Sequence, residues 1–206
     1  MKRKWLSRGG SASITVVFGG WAVGAAAFNG LQGKGSVLLV EDYTQLDDPI
    51  PELAQYDEVS VVAFSFGVAS AAHWMARIGF KPTRKIAISG TLMPADCKKG
   101  IAPTLIRSTA DNLSADSFSK FCLRAGLKSS VPAIDIAAAR AELHAIIERG
   151  SAPETRFDRI WIPLRDRIIP SRAQKLAWAS QLQAVRHVSG PHIPFGQGQS
   201  WAEWIS

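Results

Sequence analysis

Short apolar runs bounded by Gly, Pro and polar turns recur along the chain, and longer stretches of helical character lie between several of them. The runs fall at 14–18 (ITVVF), 37–40 (VLLV), 59–64 (VSVVAF), 85–88 (KIAI), 159–164 (RIWIPL) and 184–188 (AVRHV). Near-continuous apolar character over four to six residues predicts strands buried on both faces, as in a parallel sheet covered by helices. Residues 66–78 are Ala-rich and free of Gly after Gly67, which predicts a helix directly behind the third run. A second helix is predicted over 172–182, with Ser171 as its N-cap just after Pro170. Alternating βα units of this kind imply a doubly wound α/β architecture.

Residues 91–150 interrupt the alternation, with no clear strand. Within them 134–149 has the spacing of an amphipathic helix, its acids and bases turned outward. We read 91–150 as a helical lid insertion in a single domain spanning 1–206, a length that supports its own core without metal or disulfide staples. Cys97 and Cys122 fit that reading. Neither has ligand spacing to another Cys or His, so both are expected as buried or half-buried thiols in a reducing compartment, and no metal is expected.

Charge changes the picture only slightly. Lys and Arg number 24 against 17 Asp and Glu, a net +7, spread as +2 over residues 1–90, +2 over 91–150 and +3 over 151–206. That sign favours an acidic partner, but the even spread and the lack of a basic stripe or reading motif argue against nucleic acid. At the N-terminus, Lys2-Arg3-Lys4 followed by the apolar stretch 14–28 imitates a signal peptide. The polar stretch 7–13 and the Gly19-Gly20 interruption count against that, and the run is too short to span a membrane. A cytoplasmic protein without a membrane partner is the expectation.

The sharpest local feature is Ala63-Phe64-Ser65-Phe66-Gly67, where a predicted strand meets a predicted helix. A nucleophile elbow has the form small-x-Ser-x-small, because its tight turn leaves no room for side chains on either flank. Such a serine needs a base and an acid, supplied in the chain order Ser, acid, His. Asp166 follows the fifth run and His192 follows the sixth. His192 would take the Ser65 proton, and Asp166 would fix the imidazole tautomer and stabilise the imidazolium. Each residue has a plainer reading: Ser65 as a helix N-cap, Asp166 as an ion-pair partner of Arg165 and Arg167, His192 as a turn residue between prolines. His73, His144 and His187 fall inside predicted helices or a strand and are read as structural. An oxyanion hole would use the Phe66 N–H and, through the Phe18-Gly19-Gly20-Trp21 loop, the Trp21 N–H. The plainer reading of that loop is a Gly-Gly turn with Trp21 as a core anchor. Ser65 excludes a haloalkane dehalogenase, which needs Asp there.

With these residues in place, the chain resembles the α/β-hydrolases. More narrowly, it resembles the compact pimeloyl-carrier-protein methyl ester esterases of biotin synthesis, the BioG type. The likeness runs through the Gly19-Gly20-Trp21 loop, Asp42-Tyr43, the elbow, Asp111-Asn112-Leu113, the 165–170 loop and the final His segment. Ala63 departs from the Gly usual at that elbow position. The resemblance implies a compact α/β-hydrolase fold, mostly parallel with helices on both faces, and a serine carboxylesterase needing no cofactor. It implies Ser65 as nucleophile, Asp166 as acid, His192 as base, and Trp21 and Phe66 around the carbonyl. It also implies an acidic acyl carrier protein as partner, with Lys98, Lys99, Arg107, Lys120, Arg124 and Lys128 as candidate contacts. Leu105, Phe118 and Phe121 are candidates for an acyl channel. A general small-ester carboxylesterase and a catalytically silent hydrolase fold used for binding are the alternatives.

Overall fold

The structure is a computed structural model and describes residues 1–206. Six strands coincide with the six apolar runs: β2 (Ser13–Phe18), β3 (Ser36–Glu41), β4 (Glu58–Phe64), β5 (Arg84–Ile88), β6 (Arg159–Pro163) and β7 (Val185–Val188). They form one parallel array, extended at one edge by β1 (Lys2–Ser7), which runs antiparallel to β3. The strand order is β1-β3-β2-β4-β5-β6-β7.

The first strand, β1, is an element that the apolar runs do not predict. The basic triplet that imitates a signal peptide is an edge strand with its charges solvated, a common protection of sheet edges. Arg3 pairs with Glu52 at 3.1 Å and donates to the Pro49 carbonyl. No helix is long and apolar enough to cross a membrane.

Alternation along the central strands supplies two core layers. Val16, Phe18, Val61 and Ala63 face a layer with Trp74 of α1 (Gly67–Ile78) and with Trp178. Val17, Val62, Phe64 and Ile88 face the other layer, with side chains from α2 (Pro103–Asp111), α3 (Ala115–Ala125), α4 (Ile136–Arg149) and α6 (Trp201–Ile205). α1 ends at Gly79, whose left-handed backbone (φ 67°) lets its N–H reach the Met75 carbonyl.

Four expectations need correction. The helix predicted over 172–182 stops early: α5 covers Ser171–Ala177 and a 3-10 turn follows over Ala179–Ala184. Gln181 leaves helical geometry there because its side chain binds the Phe157 N–H and the Thr155 carbonyl. Ser171 is not a cap: Pro170 occupies that position, and the Ser171 hydroxyl donates to the Pro163 carbonyl. On α4, Glu142 points inward, and Cys97 is exposed whereas Cys122 is buried.

Strand order also locates the site. From β2 the chain moves first to one side, to β3, and then to the other, to β4. Ligands of open α/β sheets bind beyond the carboxyl ends of the strands at such a reversal. The carboxyl ends of β2 and β4 carry Gly19-Gly20-Trp21 and Ser65.

Candidate active site

Ser65 sits between the end of β4 and the start of α1 with φ +57°, a left-handed conformation that L-residues adopt only at a cost of about 1–2 kcal/mol. The turn is held by the Ser65 N–H on the Ile88 carbonyl (2.9 Å) and by the Val68 N–H on the Ser65 carbonyl (3.1 Å). Its tightness explains the flanking residues. A Cβ on Gly67 would lie 2.2 Å from the Phe18 carbonyl oxygen and 2.5 Å from that of Gly19. Ala63 stays within regular pairing, opposite Phe18 and Ala87, so a methyl group is accommodated there.

The Ser65 hydroxyl does not cap α1, whose N-cap is Phe66 without any side-chain bond. It lies 2.9 Å from His192 Nε2 instead. His192 Nδ1 is 2.8 Å from Asp166 Oδ2. An ionised carboxylate only accepts, so the imidazole proton belongs on Nδ1 and Nε2 is left free to accept from Ser65. Asp166 forms no ion pair with Arg165 or Arg167, both of which are exposed. Its Oδ1 receives the N–H groups of Ile168 (2.8 Å) and Ile169 (2.9 Å), and its Oδ2 also receives the Gln174 side-chain amide at 2.8 Å. The His192 loop is anchored by the Ile193 N–H on the Ala125 carbonyl, and the ring packs near Phe64. All three groups are buried.

Trp21 turns out to be an anchor. Its indole N–H donates to the Ala139 carbonyl on α4 at 2.9 Å, and its ring meets Phe118 and Phe121 of α3 edge-on. The backbone N–H groups of Trp21 and Phe66 donate to no turn, loop or side-chain acceptor. A Cβ on Gly20 would lie 2.7 Å from the Phe64 ring, so this loop approaches the elbow only without a side chain there. Above Ser65 opens a cleft of about 270 Å³, lined by Trp21, Phe66, Ile106, Phe121, Leu143 and Ile168 among others. Leu105, Arg124 and Arg167 also border it, whereas Phe118 is buried behind Trp21. Of the other basic candidates, Lys98, Arg107 and Lys128 are exposed, Lys99 is half-buried and Lys120 pairs with Asp116. His73, His144 and His187 lie outside the site, on α1, α4 and β7.

The family described as "Pimeloyl-ACP methyl esterase BioG" matches residues 1–204. The chain belongs to the BioG family. The solved structure of BioG from Haemophilus influenzae superposes over 100% of both chains with a TM-score of 0.87 at 26% identity. A malonyl-[acyl-carrier protein] O-methyltransferase of Bacteroides fragilis is 30% identical over 189 residues, 85% of this chain. The chain spans 38% of the length of that relative. An esterase from Thermogutta terrifontis, at 12% identity and a TM-score of 0.64 over 93% of this chain and 86% of its own, shares the fold alone. The seven-stranded, mostly parallel sheet is that of the α/β-hydrolases, and this BioG-family chain is an ester hydrolase by its family.

Two residues of this BioG site were not singled out by the sequence. Gln174, fully buried on the first turns of α5, donates its amide both to Asp166 and to the Ile169 carbonyl (2.7 Å). Only its place eight residues after Asp166, one turn into a helix that starts in the same loop, could have marked it. Glu142 is 7% exposed and accepts the Tyr43 N–H at 3.1 Å. Burial, aided by Glu41 and Asp42, pushes its carboxyl up to about 7.

Proposed function

We propose that the chain is a serine esterase that removes the methyl group from a pimeloyl chain carried on an acyl carrier protein. The observation that carries this reading is the continuous relay Ser65–His192–Asp166 at the floor of an apolar cleft. In the first half-reaction the Ser65 oxygen attacks the ester carbonyl carbon while its proton passes to His192 Nε2. The Trp21 and Phe66 N–H groups stabilise the oxyanion. The tetrahedral intermediate collapses, the carbon–OCH₃ bond breaks, and His192 returns the proton so that methanol leaves. Water, deprotonated by the same imidazole, then releases the carboxylate and regenerates Ser65.

The α2–α4 segment acts as a lid, with Leu105 and Phe121 along the acyl path. Arg124 and Arg167 at the mouth, with Arg107, Lys98 and Lys128 nearby in sequence or on the same segment, suit an acidic carrier protein, as does the net +7. The name of the Bacteroides fragilis relative supports methyl-ester chemistry on a carrier protein. The chain works in the cytoplasm beside that substrate.

The test is incubation of wild type and Ser65→Ala with pimeloyl-carrier-protein methyl ester, read by mass. Wild type alone should remove one methyl group, and Ser65→Ala should lose about 10³-fold or more in rate. Hydrolysis of small free esters with the carrier-bound ester untouched would replace this substrate by a general one. No Ser65-dependent hydrolysis of either would leave a silent fold.

A further inference from the structure

We infer that Glu142 is a positioning residue for the oxyanion side of the site: with Tyr43 as an intermediary, α4 holds the Gly19–Trp21 loop in place. The inference rests on the ester-hydrolysis reading, which gives the Trp21 N–H its role.

The chain leaves β3 through Asp42, a non-glycine residue at φ +63°, and this sharp exit turns the Tyr43 ring back into the core. Tyr43 is then gripped at both backbone polar groups by α4. Glu142 Oε1 accepts its N–H, and the Arg149 guanidinium donates to its carbonyl oxygen. Glu142 and Arg149 are seven residues apart, which brings them to one face of the helix. The Tyr43 hydroxyl in turn donates to the Gly19 carbonyl at 2.8 Å, with the Val40 carbonyl at 3.0 Å. Gly19 is also fixed through its own N–H on Val40.

The other end of the loop meets the same helix directly, through the Trp21 indole on Ala139, one turn before Glu142. Thus α4 holds Gly19 through Tyr43 and Trp21 by contact, and the peptide between them carries the oxyanion donor. Removing the Glu142 acceptor leaves a buried N–H on Tyr43 without a partner and frees one of the two anchors. The other charged groups around Glu142 are Glu41 and Asp42 at the end of β3, Lys2 and Lys4 on β1, and Arg149 on its own helix.

A residue that merely stabilised the fold would lower the melting temperature and leave kcat intact. A positioning residue changes kcat and spares KM. Glu142→Leu should therefore lower kcat for the carrier-bound methyl ester by about 10–100-fold with KM within about threefold. It should weaken a boronic acid that bonds to Ser65 and fills the oxyanion position by a similar factor. Glu142→Gln keeps an acceptor for Tyr43 and should restore kcat to within about threefold of wild type.

Hydrogen exchange reads the same coupling without substrate: amides of 18–23 and 42–46 should exchange at least about tenfold faster in Glu142→Leu and not in Glu142→Gln. Unchanged exchange there overturns the inference. Unchanged kcat in a folded Glu142→Leu, against Ser65-dependent activity of wild type, also overturns it. If Glu142→Leu does not fold, Tyr43→Phe decides by the same readouts, since it keeps the ring stacked on Phe18 and loses only the hydroxyl. Loss of loop protection in an inactive wild-type background would sink the esterase reading and leave the mechanical link standing.

Discussion

The Asp166 corner and the Gly19–Trp21 loop hold comparable demands in different ways. Asp166 is fixed by near neighbours in the chain: the N–H groups two and three residues on, and the Gln174 amide eight residues on. A loop and the first turns of one helix therefore bring most of the orienting bonds with them as they form. The Trp21 loop is fixed from far away, by Ala139 at a separation of 118 residues and through Tyr43 by Glu142 at a separation of 99. The acid–base side is a property of local structure. The side proposed to hold the oxyanion depends on how α4 docks, so it is the side that movement of the α2–α4 segment would disturb.

The sharpest way to test this division is to damage each side without touching Ser65. Asp166→Asn keeps the shape of the corner but can present an N–H to His192 Nδ1, which puts the imidazole proton on the wrong nitrogen. A loss of about 10³–10⁴-fold in kcat is expected, with cooperative unfolding retained, measured by steady-state kinetics and circular dichroism. Gly67→Ala attacks the other side. Its methyl would push on the Phe18 and Gly19 carbonyls, which are backbone atoms that can move only with the loop. We expect a fall of about 100-fold in kcat together with a destabilisation of about 1–3 kcal/mol in urea denaturation. Equal stability loss from both variants would remove the distinction between the sides.

Gln174→Leu refines the comparison within the Asp166 corner. The leucine removes one of four donors to the carboxylate, so kcat should fall by about 3–10-fold. Gln174 Oε1 is buried without a partner in the native protein, so its removal also relieves an unsatisfied acceptor. Against that gain the buried Ile169 carbonyl loses its donor, so stability should fall by no more than about 1–2 kcal/mol, and a fall in kcat that persists well below the melting temperature marks an orienting role.

These residues were legible to very different degrees. Ser65, Asp166 and His192 could be named from the chain because apolar runs mark the ends of buried parallel strands, and in this fold the loops just beyond those ends carry the chemistry. Gln174 carries no such mark, since a glutamine in a first helical turn is usually a solvated side chain. Glu142 misled the periodicity outright. The apolar stripe Ala139, Leu143 and Ile146 marks the inner face, and a carboxylate next to it is ordinarily read as turned to water, whereas here it has a buried N–H to accept. β1 was hidden for the opposite reason, because an edge strand protected by Lys2, Arg3 and Lys4 has too little apolar character to count as a strand.

The smallest effect comes from the charge that the oxyanion side keeps in its support. In the unfolded chain the Glu142 carboxyl releases its proton near the ordinary value of 4.5, and in the native protein burial delays this to about 7. Below both values each state holds the proton and the group adds no pH dependence. Between them the native protein binds more protons than the unfolded chain, so this group lowers stability as pH rises, and the cost is complete above about 7. The span corresponds to roughly 3 kcal/mol, with the lowering effects of the Tyr43 N–H and Lys2 already contained in the native value. Gln at this position has no proton to release. The stability of Glu142→Gln relative to wild type should therefore climb from pH 4.5 to pH 8, by about 1–3 kcal/mol in urea midpoints compared at each pH. Comparing the two proteins at each pH cancels every ionisation they share. A difference that stays flat across that range would mean that Glu142 titrates alike in both states, and α4 would then hold Tyr43 without the energetic penalty of a buried carboxylate.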